Sequence, residues 1–279
     1  MENTVKLIAI LVALAAFVLG GPEASAQDKM KDKTKNREFC SQNWSNGDKV
    51  STRDLRETTL SPGSLTVDGK RNGGISVRGE DRSDILVRAC VQAWADTEAE
   101  AQSLAKGVRI ETSGSVRAEG SGDNWSVSYQ ILVPRNTDLD LLTSNGGISI
   151  ADVTGTIKFT ATNGGVSLAN LAGDVKGRTT NGGISVKLSG GSWSGNGLDV
   201  QTTNGGVSVQ MSESYAARVE AGTTNGGFSS DFPGLKVEKT DEDRWAPTKK
   251  QVSADINGGG APIRVKTTNG GVSIKTAKL

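Results

Sequence analysis

No histidine occurs in this 279-residue chain, and cysteine is limited to Cys40 and Cys90. Without histidine there is no Ser-His or Cys-His nucleophilic dyad, no histidine general base and no histidine metal ligand. Neither sign of charge is in excess, with 32 Lys and Arg against 31 Asp and Glu. The basic surplus within residues 28–37 is short and interleaved with acid, so it reads as a solvated linker and not as a nucleic-acid-binding arm. Long hydrophobic runs are also missing, with one exception at the start. Residues 7–19, "LIAILVALAAFVL", follow Lys6, fall short of the about 20 apolar residues a spanning helix needs, and lead to Ala24-Ser25-Ala26 before Gln27. This order predicts a cleaved signal peptide over 1–26, a charged linker over 27–38, and a mature chain with no transmembrane span. Such a chain is exported to the periplasm, the cell surface or the exterior. No cysteine stands just behind the apolar run, where lipid attachment would need one. In an exported protein Cys40 and Cys90 are candidates for a disulfide; the alternative is that Cys90, inside "DILVRACVQAWA", is a small buried hydrophobe.

What the chain has in quantity is glycine, 36 residues, much of it in one recurring octet. "TSNGGISI" at Thr143 returns as "ATNGGVSL" at Ala161, "TTNGGISV" at Thr179, "TTNGGVSV" at Thr202, "TTNGGFSS" at Thr223 and "TTNGGVSI" at Thr267. The unit's asparagines, Asn145, Asn163, Asn181, Asn204, Asn225 and Asn269, recur at steps of 18 to 23 residues before a last step of 44. Two looser copies are "RNGGISV" at Arg71 and "INGGG" at Ile256. The long last step contains a charged, proline-bearing stretch over 236–250, which reads as an inserted loop.

Alignment on the asparagines gives columns. Six residues before Asn stand Leu139, Ile157, Val175, Leu198, Val219 and Ile263; three after stand Ile148, Val166, Ile184, Val207, Phe228 and Val272. Five after, only Ser230 interrupts an apolar set. Residues at even separations share a face of a strand, so these columns predict a buried surface on both sides of a turn. The residue before Asn is Ser or Thr, and the residue four after is always Ser, so hydroxyls are expected outward. This parity fits a two-residue hairpin as well as a solenoid corner. Column identity favours the stack: at about 4.8 Å per layer, asparagines bond along it and the corner glycines adopt positive φ.

Residues 39–137 lack the regular repeat. They hold strand-like runs at Ser64, Gly74, Asp84 and Asn124, and one helix in "TEAEAQSLAKG", with a Thr97/Glu100 capping box and Gly107 as its stop. The expected fold is therefore all-β: a single-chain parallel β-solenoid (β-helix) of about six regular Asn-Gly-Gly rungs over 138–279. A mostly-β cap over 39–137 with one short helix precedes it. The exported leader, the short Val/Leu strands and the "TTNGGVSV" and "TNGGISV" rungs resemble the bacterial putative-adhesin β-strand-repeat family, a domain of unknown function whose members form β-solenoids. That resemblance implies an envelope or extracellular role and carries over no catalytic residue.

The site search supports a binding surface and not an enzyme. The column five before Asn reads Asp140, Lys158, Lys176, Asp199, Glu220 and Arg264, a mixed charge ladder without the paired acids that glycoside chemistry uses. The rungs lack the fixed Asp of calcium β-rolls, and the Gly-Gly corners lead into strands and not into a helix N-terminus as phosphate loops do. Neither metal nor cofactor is expected. Among Trp44, Trp94, Trp125, Trp193 and Trp245, the loop residues Trp193 and Trp245 are the candidate ligand contacts, with core packing as their alternative role. These features describe an exported, non-enzymatic adhesin-like or structural cell-envelope protein presenting a Thr/Ser/Asn-rich surface to a glycan or protein at the cell surface. The alternatives are a carbohydrate-active β-helix lyase or hydrolase, and an ice- or surface-binding protein using its threonine row.

Overall fold

A computed structural model describes residues 39–41, 48–70, 72–232, 234–235 and 250–277. The chain divides into two compact units, Met1–Ser41 and Gln42–Leu279, and the elements below belong to the second. The expected signal peptide and charged linker, Trp44, Trp245 and residues 236–249 of the expected insertion lie outside the described residues. Among the described residues no helix is long and apolar enough to cross a membrane.

Along the chain come β1 (Val50–Leu60), β2 (Leu65–Asp68), β3 (Ile75–Glu80), β4 (Ile85–Ala95), α1 (Glu98–Gly107), β5 (Arg109–Glu111), β6 (Val116–Glu119) and β7 (Trp125–Pro134). Then follow β8 (Leu139–Asn145), β9 (Ile148–Ala151), β10 (Thr154–Asn163), β11 (Val166–Ala169), β12 (Ala172–Asn181) and β13 (Ile184–Lys187). The last are β14 (Gly197–Asn204), β15 (Val207–Met211), β16 (Ala217–Asn225), β17 (Phe228–Ser230), β18 (Lys250–Ile256), β19 (Pro262–Asn269) and β20 (Val272–Thr276). They form two ten-stranded mixed sheets, neither closed into a barrel, in a solenoid-like all-β arrangement. The first runs β1-β4-β7-β3-β9-β11-β13-β15-β20-β17 and the second β18-β16-β19-β14-β12-β10-β8-β2-β6-β5.

Each repeat gives one strand to each sheet, with Asn-Gly-Gly at the corner between them. Pairing within the repeats is parallel and in register: Asn163 stands beside Asn145 and Asn181, Asn181 beside Asn204, and Asn269 beside both Asn204 and Asn225. The apolar columns point inward as their parity requires; Leu139, Ile157, Val175, Leu198, Val219 and Ile263 are all buried. Ser230 interrupts its column where β17 forms the end of the first sheet, so the strand has a neighbour on one side only. Between layers, large meets small. The Phe159 ring fills the space above Gly177, where a Cβ would lie 2.4 Å from the ring.

The stacking order departs from chain order at one place. β19 and β20, last in sequence, lie between β14–β15 and β16–β17. The outward charge column explains why this order is favourable. In chain order Asp199 and Glu220 would be neighbours; with β19 inserted, Arg264 stands between them and its guanidinium Nε reaches Glu220 Oε2 at 2.8 Å. The "INGGG" copy at Ile256 is therefore not a rung. Asn257, Gly258 and Gly259 all take positive φ in the turn that brings the chain to β19, and the Asn257 amide donates to the carbonyls of Glu213 and Tyr215. The copy at Arg71 behaves oppositely: β3 and β2 continue both sheets in register with β9 and β8. Residues on either side of position 137 thus share the same two sheets.

Strands β2, β3, β4 and β7 appear where apolar runs foretold them; the short β5 and β6 were not foretold, and β1 escaped notice. Its sequence, "VSTRDLRETTL", is polar on both faces because it is an edge strand paired only to β4. The helix starts as its capping box requires, with Thr97 Oγ1 accepting from the Glu100 N–H and the Glu100 carboxylate accepting from the Thr97 N–H. It does not stop through Gly107, which remains helical; Val108 is the extended C-cap. The Arg56 guanidinium, reaching from β1, donates to the carbonyls of Ala105 and Val108, so the helix end needs no left-handed glycine.

The corner glycines also depart from expectation. The first glycine of the corner is required by contact and not by positive φ. A Cβ on Gly146, Gly164, Gly182 or Gly205 would lie 1.9 to 2.2 Å from the carbonyl oxygen of the first glycine in the neighbouring layer. At the second glycine the nearest approach relaxes to 3.2 to 3.5 Å for Gly147, Gly165, Gly183 and Gly206. Gly164→Ala should therefore cost about 3 kcal/mol or more in thermal or denaturant unfolding, and Gly165→Ala less than about 1 kcal/mol. Equal costs would show that the layers do not approach this closely.

Candidate functional site

The asparagine corners assemble into one hydrogen-bonded row. Asn145 Nδ2 donates to Asn72 Oδ1 (3.2 Å), Asn163 to Asn145 (2.8 Å), Asn181 to Asn163 (2.7 Å) and Asn204 to Asn181 (2.8 Å). Asn269 then donates to Asn204 (2.8 Å) and Asn225 to Asn269 (2.9 Å). Every amide points the same way, so the row has a donor end at Asn72 and an acceptor end at Asn225. The six sequence-identified asparagines are thus brought together, joined by Asn72 from the looser copy.

A second row stabilises the corner from beneath. Thr143, Thr179, Thr202, Thr223 and Thr267, each two residues before an Asn, are buried, and each hydroxyl donates to the carbonyl of a neighbouring layer's first glycine at 2.6 to 2.8 Å. Sequence reasoning passed over this column, although its parity with the apolar positions marks it as inward. Ala161 occupies the place in the remaining repeat and gives no such bond.

Outside lies an uncharged strip. Ser144, Thr162, Thr180, Thr203 and Thr268 before the corner are exposed, and so are the ladder asparagines and the second glycines Gly147, Gly165, Gly183 and Gly206. The serine row beyond, Ser149, Ser167, Ser185, Ser208, Ser273 and Ser229, stacks in register on the first sheet. At the strand spacing of about 4.8 Å the strip runs for roughly 25 Å.

The tryptophans separate. Trp193 is 6% exposed and its indole N–H donates to the Gly173 carbonyl at 3.0 Å. It caps the opposite corner, where Gly155, Gly173 and Gly195 stack, and so serves packing and not ligand contact. Trp245 lies outside the described residues. Trp125, which the sequence placed in a strand without further role, forms part of the wall of a cavity of about 290 Å³ that Asn72 also lines. Both cysteines are disulfide-bonded, and Cys90 is buried as well.

Among the described residues no group of His, Cys, Asp and Glu is arranged to hold a metal ion. On the second sheet's outer face Arg218 and Arg264 both reach Glu220. Hydrogen bonds from Arg264, and then from Arg218, hold the Glu220 carboxyl below the usual carboxylate range. At the opposite corner the Asn170 amide, then Arg78, does the same for Asp152. Burial pushes the Tyr215 phenol up to about 12 and raises that of Tyr129 further.

The family described as Toastrack DUF4097 matches residues 47–275. No curated protein matches the chain. Among solved structures, a putative cell adhesion protein from Clostridium sporogenes is 12% identical, with a TM-score of 0.43 over 81% of this chain and 100% of its own. A putative adhesin from Bacteroides fragilis is 7% identical (TM-score 0.29, 81% of this chain and 97% of its own). A putative lipid binding protein from Parabacteroides distasonis is 9% identical (TM-score 0.24, 84% and 98%).

Two measurements check the site's physics. Asn181→Asp removes the donor to Asn163 and sets two oxygens face to face, so it should cost about 1 kcal/mol or more at neutral pH. Below its pKa of about 4 the protonated acid donates again, and part of the loss should return relative to Asn181→Ala. A pH-independent deficit would mean that the ladder bonds contribute nothing. For the whole chain, the depressed carboxylates contribute stability above their unfolded pKa that is lost as pH falls through the folded one. The raised tyrosines contribute stability below about pH 10 that is lost as pH rises towards 12. With no histidine between, unfolding free energy should be flat from about pH 6 to 9, and Glu220→Gln should soften the acid limb.

Proposed function

The chain belongs to the Toastrack DUF4097 family, and from that footing we propose that it is an exported, non-enzymatic, adhesin-like or structural envelope protein. In this reading residues 1–26 are a cleaved signal peptide and 27–38 a linker. Residues 39–137 form a cap, and 138–279 form a parallel β-solenoid of about six regular Asn-Gly-Gly rungs with an insertion near 236–250. Cys40 and Cys90 pair with each other, as suits an oxidising compartment. The partner is a glycan or a protein at the cell surface and not a nucleic acid.

One observation carries the proposal: the corner strip is continuous and uncharged across six layers, and it repeats hydroxyls and amides at the strand spacing. Such a surface suits a partner with its own repeated hydrogen-bonding groups, because each layer offers the same weak contact and the contacts add over its length. The charged column beside it mixes lysine, arginine and acid and interrupts the flatness that an ice-binding face needs.

The full mature chain is tested on a glycan array and on intact bacterial surfaces. Binding without cleavage products is expected, and Thr203→Lys, placed mid-strip on an exposed position, should weaken it about tenfold or more while leaving the melting temperature unchanged. Release of shortened glycans would overturn the non-enzymatic reading. Retention of the chain in the cytoplasm with its leader intact would overturn export.

A further inference from the structure

The one-way direction of the asparagine ladder gives its two ends different chemistry. Six side-chain amides each donate to the next, and among the described residues no acceptor takes the NH2 of Asn72. Amide chains polarise one another, so the terminal N–H group is a stronger donor than an isolated asparagine. This donor end lines the cavity of about 290 Å³, a volume at the bottom of the range of about 300–1,000 Å³ typical of ligand pockets.

The rest of the wall is fixed and mixed in character. The Trp125 indole N–H is bonded to the carbonyls of Gly122 (3.0 Å) and Ser121 (3.2 Å), so its ring is locked and its polar edge is satisfied before any ligand arrives. Gly120 lies close behind the ring: a Cβ there would meet the indole at 3.1 Å. Lys70 is held in left-handed conformation, φ 52°, by its N–H bond to Asp68 Oδ1 at 2.8 Å. Strain of this kind at a non-glycine residue is found at binding sites more often than elsewhere. Glu119 brings a carboxylate, engaged by Arg117 at 2.9 Å, which offers further acceptor positions.

We propose that this pocket is a subsite for one neutral pyranose ring at the end of a bound glycan. The ring's apolar face lies on Trp125, a hydroxyl oxygen accepts from Asn72 Nδ2, and other hydroxyls donate towards Glu119. Hydroxyls suit this wall because each both donates and accepts, and Lys70 and Glu119 each already have a counter-charge beside them, Asp68 and Arg117, while Asp123 adds a second carboxylate to the lining. An anionic ligand would meet two carboxylates there, Glu119 and Asp123. The proposal rests on the glycan-binding form of the reading above and adds a terminus to it: the strip holds the polymer's length, the pocket its end.

The test titrates the full mature chain with glucose, galactose, mannose and N-acetylglucosamine, and with glucuronate and inorganic phosphate as charged controls. Tryptophan fluorescence and the side-chain amide NMR signals of the ladder are followed. A neutral sugar should shift the Asn72 amide most and Asn145 and Asn163 progressively less, since the perturbation travels down the chain of bonds. Trp125→Ala should weaken binding about tenfold and Asn72→Ala about fivefold. Asn72 is exposed, so the second variant stays informative if the first unfolds. Neutral sugars that leave the Asn72 and Trp125 signals unmoved at millimolar concentration, or tighter binding of glucuronate or phosphate, overturn the subsite. Array binding that Thr203→Lys weakens and the pocket variants do not would remove the subsite and leave the strip in place. Loss of all array binding would remove both.

Discussion

The contact on which this molecule depends is backbone against backbone: the first glycine of one Asn-Gly-Gly corner rests on the carbonyl of the same glycine in the next layer. No side chain of any kind fits there, since even a Cβ would intrude within about two ångströms of that oxygen. Once the layers meet this closely, the rest follows at the same spacing. The buried threonine beneath reaches the glycine carbonyl and the asparagine above reaches its counterpart. The backbone N–H of Gly182, meanwhile, bonds to the carbonyl of Asn204. Three sets of hydrogen bonds run along one corner, two donating towards the β2–β3 end of the stack and one away from it.

The same corner is also exposed. Its asparagines are solvent-facing while they are bonded to each other, so the row is rigid without being hidden. A rigid row of identical groups loses little entropy when it meets a partner with a matching repeat. The ladder's direction, fixed by how each amide flips to serve its neighbour, also turns a repetitive surface into one with distinguishable ends.

Much of this was legible in the sequence. Leu139, Ile157 and Val175 declared the inward face through period two, and the identity of the asparagine column declared parallel stacking in register. Thr97 and Glu100 declared the helix start through their spacing. Trp193 was legible only as an aromatic residue in a loop, because nothing local says whether a loop tryptophan turns inward; here the open carbonyl of Gly173 and the space behind the corner decide it. The polar strand β1 was illegible because an edge strand with neither face well buried has no hydrophobic period to read. Trp125 and Asn72 are far apart in the chain, and their shared pocket exists only because β3 lies beside β7.

What each layer is can be read locally, since alternation and corner chemistry are properties that a strand and a turn settle within a few residues. Which layers touch is set only by the folded stack. Placing β19 between β14 and β16, so that Arg264 separates Asp199 from Glu220, is a choice among distant segments with nearly identical sequences. Repeats that look alike cannot encode their own order locally, so the charges and the crossover at Asn257 settle it through contacts that exist only in the folded stack.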